Sequence, residues 1–384
     1  MKCLLVLIIV MTLIIYTFQL SNYIPQMTRA VTMVKEERVA VSYELFDNVT
    51  QQRNMNSANI STKTSDYNFT QHIGFLKVHK AGSSTMSNIL FRFGVRHSLT
   101  FAIPSSANYL HERSGAVHRQ TRDHFDILAV HTRYSPALYN AVLAKDAVNI
   151  AIVREPLDRM ISAAYYYGTK LHVDYLLKIP RTNFIHNLIR NPERFDNAGM
   201  FSETKNSMGF DFGFTGNFTR NNTVEINQRL DVLNREFELV LVMERFEESL
   251  VLMKRLFNWQ LQDIIFKTTN RNPHKADTFT QEELENFRRT CFLDYAVYNY
   301  FTDVFQTKVQ QAGDDFQSEV AYFKDVIQKV SAYCSNSVPG KRLVFTKSVW
   351  NEEFNITIKD CQQMKTTVLN YIDILRRRHY ANKY

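Results

Sequence analysis

Residues 73–93 read IGFLKVHKAGSSTMSNILFRF, and this stretch restricts the fold more than any other in the chain. The apolar run at residues 73–78 fits a buried strand. Lys77, His79 and Lys80 stand at its end, and a turn of small residues follows, Ala81, Gly82, Ser83, Ser84 and Thr85. From there Met86, Ile89, Leu90 and Phe93 recur at helical spacing until Gly94. The order is strand, phosphate-type loop, helix. Such a turn aims backbone N–H groups and the positive end of a helix at one place. A lysine and several hydroxyls converge there, so an anionic ligand is expected.

The order of residues narrows the ligand. A nucleoside-triphosphate loop reads G-x-x-x-x-G-K-[ST], with its lysine behind the glycines. Here Lys80 precedes Gly82, and no second glycine lies upstream at the required spacing. An ATP-dependent kinase is disfavoured on that ground.

Further along, strand-like runs at 73–78, 125–130, 148–153 and 238–243 alternate with helical patterns at 84–93, 156–167 and 246–257. This alternation predicts an α/β fold, a central parallel sheet flanked by helices. After residue 280 the pattern becomes mainly helical. Ligands of such sheets bind beyond the carboxyl ends of the strands, and each motif singled out here sits at one. Arg154 ends the run at 148–153, and Pro156 suits the first turn of the next helix. Ser162 lies about two helical turns beyond Arg154. An Arg and a Ser so placed can grip one phosphate, the Arg through a charge-assisted fork. The competing reading pairs Arg154 with Glu155 or Asp158 at a helix start.

The wording L-K-V-H-K-A-G-S-S-T, followed by N-I-L-F-R-F and R-H-S-L-T, closely resembles the galactose-3-O-sulfotransferase family, which includes galactosylceramide sulfotransferase. Matching stretches recur at 148–167 and 237–259. The resemblance runs from about residue 73 to the C-terminus, weakening after about residue 302. It implies a P-loop-like sulfotransferase fold. The implied donor is 3′-phosphoadenylyl sulfate (PAPS), with no catalytic metal. The implied acceptor is the 3-hydroxyl of a terminal galactose on a glycolipid or glycoprotein. Lys80 would stabilise charge at the leaving oxygen, and residues 81–85 together with Lys77 would cradle the 5′-phosphate and sulfonate. Arg154 and Ser162 would hold the 3′-phosphate.

The base is less constrained. His131 follows the run 125–130, and A-V-H-T-R-Y resembles the segment that carries the base in uronyl 2-O-sulfotransferases. A histidine titrates near neutrality, which suits removal of a hydroxyl proton. The bland alternative is a histidine that hydrogen-bonds only the acceptor or the core. His79 is the rival, although strand alternation can turn it away, and Glu244 is a third candidate. Arg133 and Tyr134 are candidates for the acceptor. Tyr165, Tyr166 and Tyr167 are candidates for stacking, but three consecutive helical residues cannot all face one ligand. Trp259 reads as core. A loop near 267–271 is a candidate for adenine contact.

The net charge of +8 agrees with anionic ligands. No zinc-finger spacing or aromatic-basic repeat accompanies it, so nucleic acid is not an expected partner. The run Arg376-Arg377-Arg378-His379 reads as a solvated helix end. Residues 3–20 carry no charge, and as a helix they span roughly 27 Å, enough for a thin bilayer. With Lys2 before them they read as an uncleaved signal anchor of a single-pass type II protein, its catalytic part in the Golgi lumen. The rival reading is a cleaved signal peptide. Residues 21–71 read as a luminal stem and 72–384 as the sulfotransferase domain. The sequons Asn48, Asn59, Asn68, Asn217, Asn221 and Asn355 agree with luminal exposure. One disulfide is expected, with Cys334–Cys361 favoured and Cys291 left as a buried thiol, although sequence leaves the pairing open. A homo-oligomer is left open too. The rival functions are sulfation of another glycan, such as a uronic acid of a glycosaminoglycan, and an inactive glycan-binding module of the same fold.

Overall fold

Four short runs rich in Ile, Leu and Val form one parallel sheet in the computed structural model: β1 (Ile73–Leu76), β2 (Ile127–Leu128), β3 (Val148–Val153) and β4 (Leu239–Val242), in the order β2-β1-β3-β4. The structure describes residues 69–104, 107–111, 124–196, 201–267, 278–336 and 340–381, all within the compact unit Asn68–Tyr384. The expected anchor, nearly all of the stem, the sequons Asn48, Asn59 and Asn68, and most of the loop at 267–271 lie outside the described residues. Among the described residues no helix is long and apolar enough to cross a membrane.

Every residue of β1 and β4 is buried, as parallel strands covered on both faces require. The covering helices follow the strands. The α1 helix (Ser83–Arg96) follows β1, α2 (Pro136–Val142) joins β2 to β3, and α3 (Pro156–Thr169) follows β3. The helices α4 (Asp174–Leu177), α5 (Phe184–Arg190), α6 (Pro192–Phe195), α7 (Ser207–Asp211) and α8 (Thr223–Glu236) precede β4, which feeds α9 (Phe246–Phe257). The chain lays β2 on one side of β1 and β3 on the other. Strand order therefore reverses at β1, which opens a crevice beyond the ends of β1 and β3.

The expected α/β architecture, with its mainly helical C-terminal part, is the observed one. The strand Val148–Val153 and the helix Phe246–Phe257 have the expected bounds. The other three strands are shorter than their apolar runs. Lys77 and Val78 leave the ladder because the chain is already turning into the loop. Residues around β2 make only isolated bridges, Phe125 to Leu143 and Tyr109 to His131. The C-terminal part contains α10 (Gln281–Thr290), α11 (Phe292–Gln310), α12 (Phe316–Ser335), α13 (Ile358–Lys365) and α14 (Val368–Ala381). It also holds an antiparallel hairpin, β5 (Leu343–Phe345) with β6 (Phe354–Ile356), that the sequence reading missed. Three residues per strand give too little alternation to read.

Cys334 of α12 and Cys361 of α13 form the favoured disulfide, with Cα atoms 5.4 Å apart, and Cys291 is a buried free thiol. Trp259 is core, as expected. It stacks on Phe93 at 3.7 Å, and its indole N–H donates to the Thr70 carbonyl. Arg376 departs from the solvated reading, because its guanidinium donates to the Pro104 carbonyl and so ties α14 to the loop after α1. The sequon residues Asn217, Asn221 and Asn355 are exposed.

Candidate active site

The loop after β1 turns sharply because two residues adopt left-handed backbone, Lys80 at φ 61° and Gly82 at φ 75°. A Cβ at Gly82 would also crowd the Met243 sulfur, which lies on a flexible side chain. Gly82 caps α1, and among the described residues no side chain caps its first turn. The Thr85 N–H turns back to the Gly82 carbonyl at 3.1 Å, and the N–H groups before it are left for an anion. Ser83 is buried and donates its hydroxyl to the Val78 carbonyl at 2.6 Å, bracing the loop from inside. That bond occupies the hydroxyl expected to face a phosphate. Ser84 is exposed and Thr85 half-buried.

Lys77 lies beneath the loop, 2% exposed, and donates to the hydroxyls of Ser83 and Ser84 at 3.3 and 3.2 Å. Burial, and then the charge of Lys80, pull its ammonium down to about 7. Lys80 extends over the ring of Tyr166, 3.8 Å from its centroid. Burial, followed by the charges of Arg154 and Lys170, pulls Lys80 down to about 8. Such crowding of like charges is stable only at low cationic occupancy or with an anion present.

Arg154 leaves β3 beside this loop and donates to the Lys80 carbonyl at 3.2 Å. The Glu155 carboxylate accepts from the Asp158 N–H and the Tyr295 hydroxyl. Ser162 is half-buried on α3. It precedes Tyr166 by one helical turn and so shares the face that meets Lys80. Of the three tyrosines, Tyr166 meets the loop, Tyr165 packs near Phe184, and Tyr167 is buried.

The two histidines meet at the same end of the sheet. Their rings stack with centroids 4.2 Å apart and planes 17° from parallel. Asp211, at the end of α7, accepts from the His79 backbone N–H at 2.8 Å and lies 2.8 Å from its Nδ1. Burial works against a charged His79, but the charge and hydrogen bond of Asp211 outweigh it, and the pKa rises above the ordinary 6.5. His131 places its Nδ1 3.1 Å from the Lys77 carbonyl. Burial, then the charges of Lys77 and His79, push its pKa well below 6.5. Asp211 was not among the residues singled out from sequence. It stands 132 positions from His79, and no local pattern marks it.

Other expected residues go elsewhere. Glu244 accepts the Glu155 N–H and the Tyr298 hydroxyl, at 2.9 and 3.3 Å, and so braces the start of α3. Tyr134 is 3% exposed and packs against Tyr139 and Phe237, which makes it core rather than an acceptor contact. Arg133 is not among them: it is half-buried, 5.5 Å over the Phe210 ring, which packs on Phe201 beside His79.

Comparison with known proteins places the chain in a family. The family model for galactose-3-O-sulfotransferase matches residues 3–347. Galactose-3-O-sulfotransferase 2 of Mus musculus is 29% identical over 290 residues, which cover 71% of this chain and 72% of that protein. The Homo sapiens protein of the same name is 31% identical over 242 residues, 60% of this chain and 59% of its own. Galactosylceramide sulfotransferase of Bos taurus is 28% identical over 273 residues, 68% of this chain and 63% of its own. The chain belongs to the galactose-3-O-sulfotransferase family.

Proposed function

We propose that this enzyme moves a sulfonate from PAPS to the 3-hydroxyl of a terminal galactose on a glycolipid or glycoprotein. It would work in the Golgi lumen, held to the membrane by residues 1–20. One observation supports the reading above all others. Lys77 supports the start of α1, Lys80 and Arg154 stand at the adjoining loop, and a carboxylate-backed histidine stands beside them.

The fit to the donor follows from charge. PAPS carries a 5′-phosphosulfate and a 3′-phosphate, and it supplies the sulfonate. The first N–H groups of α1 and the exposed Ser84 hydroxyl suit the 5′-phosphate. Lys77 supports that turn from below. Lys80 neutralises the charge that grows on the bridging oxygen as the bond to sulfur breaks. Arg154 and Ser162 suit the 3′-phosphate.

The acceptor hydroxyl must lose a proton. A base has to end the step charged, so its surroundings must favour the imidazolium. Those of His79 do, through Asp211, whereas those of His131 oppose it. We therefore assign the base to His79 and its positioning to Asp211, in the manner of a carboxylate that holds Nδ1–H and leaves Nε2 free. Neutral His131, its Nδ1–H on the Lys77 carbonyl, packs on the His79 ring and offers Nε2 to the sugar. This reverses the order expected from the A-V-H-T-R-Y segment.

The test uses the full chain and labelled PAPS with galactosylceramide, lactose-type β-galactosides and a desulfated glycosaminoglycan, each beside Lys80→Ala. Transfer to a galactoside, lost in the variant, is expected. Transfer to the glycosaminoglycan alone would overturn the galactose assignment. A folded protein that binds no donor would overturn the loop assignment.

A further inference from the structure

The segment from residue 201 to 204 runs beside the histidine pair, and the mechanism above does not use it. Phe201 lies 6.3 Å from the His79 ring, between centroids, and 4.7 Å from the Phe210 ring. Both phenylalanines are half-buried. Glu203 is half-buried as well. The Tyr167 hydroxyl lies near its carboxylate. Its Oε2 is buried with no hydrogen-bond partner among the described residues. The charge of Glu203 reaches His79, so this carboxylate lies near the base.

The segment is fixed rather than loosely draped. Arg159, fully buried on α3, donates to the carbonyls of Glu203 and Thr204 at 3.1 and 3.3 Å and pairs with buried Asp294 at 3.3 Å. Ser202 and Thr204 both donate to the Asp196 carboxylate at 2.6 Å. A buried carboxylate oxygen without a partner is costly, and among the described residues Asp196 and Asp294 beside the segment each carry one too.

We propose that Phe201, Phe210 and Glu203 form the acceptor-sugar subsite. The apolar C–H face of a galactopyranose lies against the phenylalanine rings. Glu203 turns its carboxylate outward and accepts a hydrogen bond from the hydroxyl next to the one that reacts. In galactose the axial 4-hydroxyl leaves one face of the ring with contiguous C–H groups, which is the shape an aromatic wall takes. A carboxylate that accepts from the neighbouring hydroxyl orients the 3-hydroxyl toward His79 without competing for its proton. The inference rests on the proposed transfer to a galactose hydroxyl.

The test is direct binding of methyl β-galactoside to the full chain saturated with 3′-phosphoadenosine 5′-phosphate. The wild type is compared with Phe201→Ala, Phe201→Leu and Glu203→Gln. Affinity for 3′-phosphoadenosine 5′-phosphate is measured in each as a check on folding. Phe201→Leu keeps apolar bulk and removes the ring, so it reports on the platform even where the alanine variant folds badly. The expected result is galactoside binding weakened about three- to tenfold by loss of the ring. Glu203→Gln should weaken it about tenfold or more, with nucleotide affinity unchanged. The Glu203→Gln deficit should vanish for the 2-deoxy or the 4-deoxy galactoside, whichever lacks the partnered hydroxyl. Equal deficits on both deoxy sugars, or unchanged galactoside affinity, would overturn the subsite. A wild type that binds and sulfates galactosides while all variants bind equally well sinks the subsite alone. A wild type that binds the nucleotide but no galactoside sinks the galactose reading with it.

Discussion

His79 and His131 stack at 4.2 Å, yet their surroundings drive their proton affinities apart. Asp211 stabilises the charged form of the first. Burial and the neighbouring cations oppose the charged form of the second. Two like rings in one crevice thereby become unlike acids, the usual means of dividing proton-transfer roles.

A base must be neutral to accept a proton, so activity should rise as pH climbs through the raised pKa of His79. Asp211→Asn removes the charge that raises it. The acidic limb of the kcat/KM profile should then move to lower pH, and kcat should fall roughly a hundredfold or more. A limb that stays in place in Asp211→Asn would remove His79 from the base role. In His131→Gln the acidic limb should persist.

Lys77 at about 7 and Lys80 at about 8 are only partly charged at mildly alkaline pH. An arriving polyanion favours their charged forms and raises both values. Binding of 3′-phosphoadenosine 5′-phosphate at pH 8 should therefore take up about one proton. Calorimetry in buffers of different ionisation enthalpy measures the uptake. Lys77→Met should abolish most of it, and identical heats in all buffers would contradict the assignment.

Gly82 meets two constraints, a φ of 75° and the Met243 sulfur where a Cβ would stand. Gly82→Ala should cost about 1–3 kcal/mol and weaken nucleotide binding. Adding Met243→Ala relieves the clash but not the backbone, so thermal melts should show partial recovery. Full recovery would mean that space alone selects glycine there.

The disulfide Cys334–Cys361 closes a separation of 27 residues between α12 and α13. In the chain-entropy account its loss should cost about 3–4 kcal/mol. Denaturant midpoints of Cys334→Ser with Cys361→Ser, set against the oxidised wild type, check this. Unchanged midpoints would show that packing of the two helices suffices.

By itself the sequence determined the parallel sheet, the phosphate-type loop and the helices that follow β1, β3 and β4. Those features are written in short-range periodicity and turn chemistry. The run at 148–153 and the pattern at 246–257 have the same bounds in the structure. Lys80 and Arg154 were legible as strand-end cations, and the family wording supplied their expected roles. Tertiary structure decided what depends on distant partners. It brought Asp211 to His79 across 132 positions, turned the Ser83 hydroxyl inward to Val78, and chose Tyr166 from three consecutive tyrosines to meet Lys80. It sent Glu244 to the start of α3 and Tyr134 into the core. A side chain's proton affinity and the face it presents depend on which remote groups surround it. Those neighbours are set by how helices pack over the sheet, and no local pattern along the chain records that.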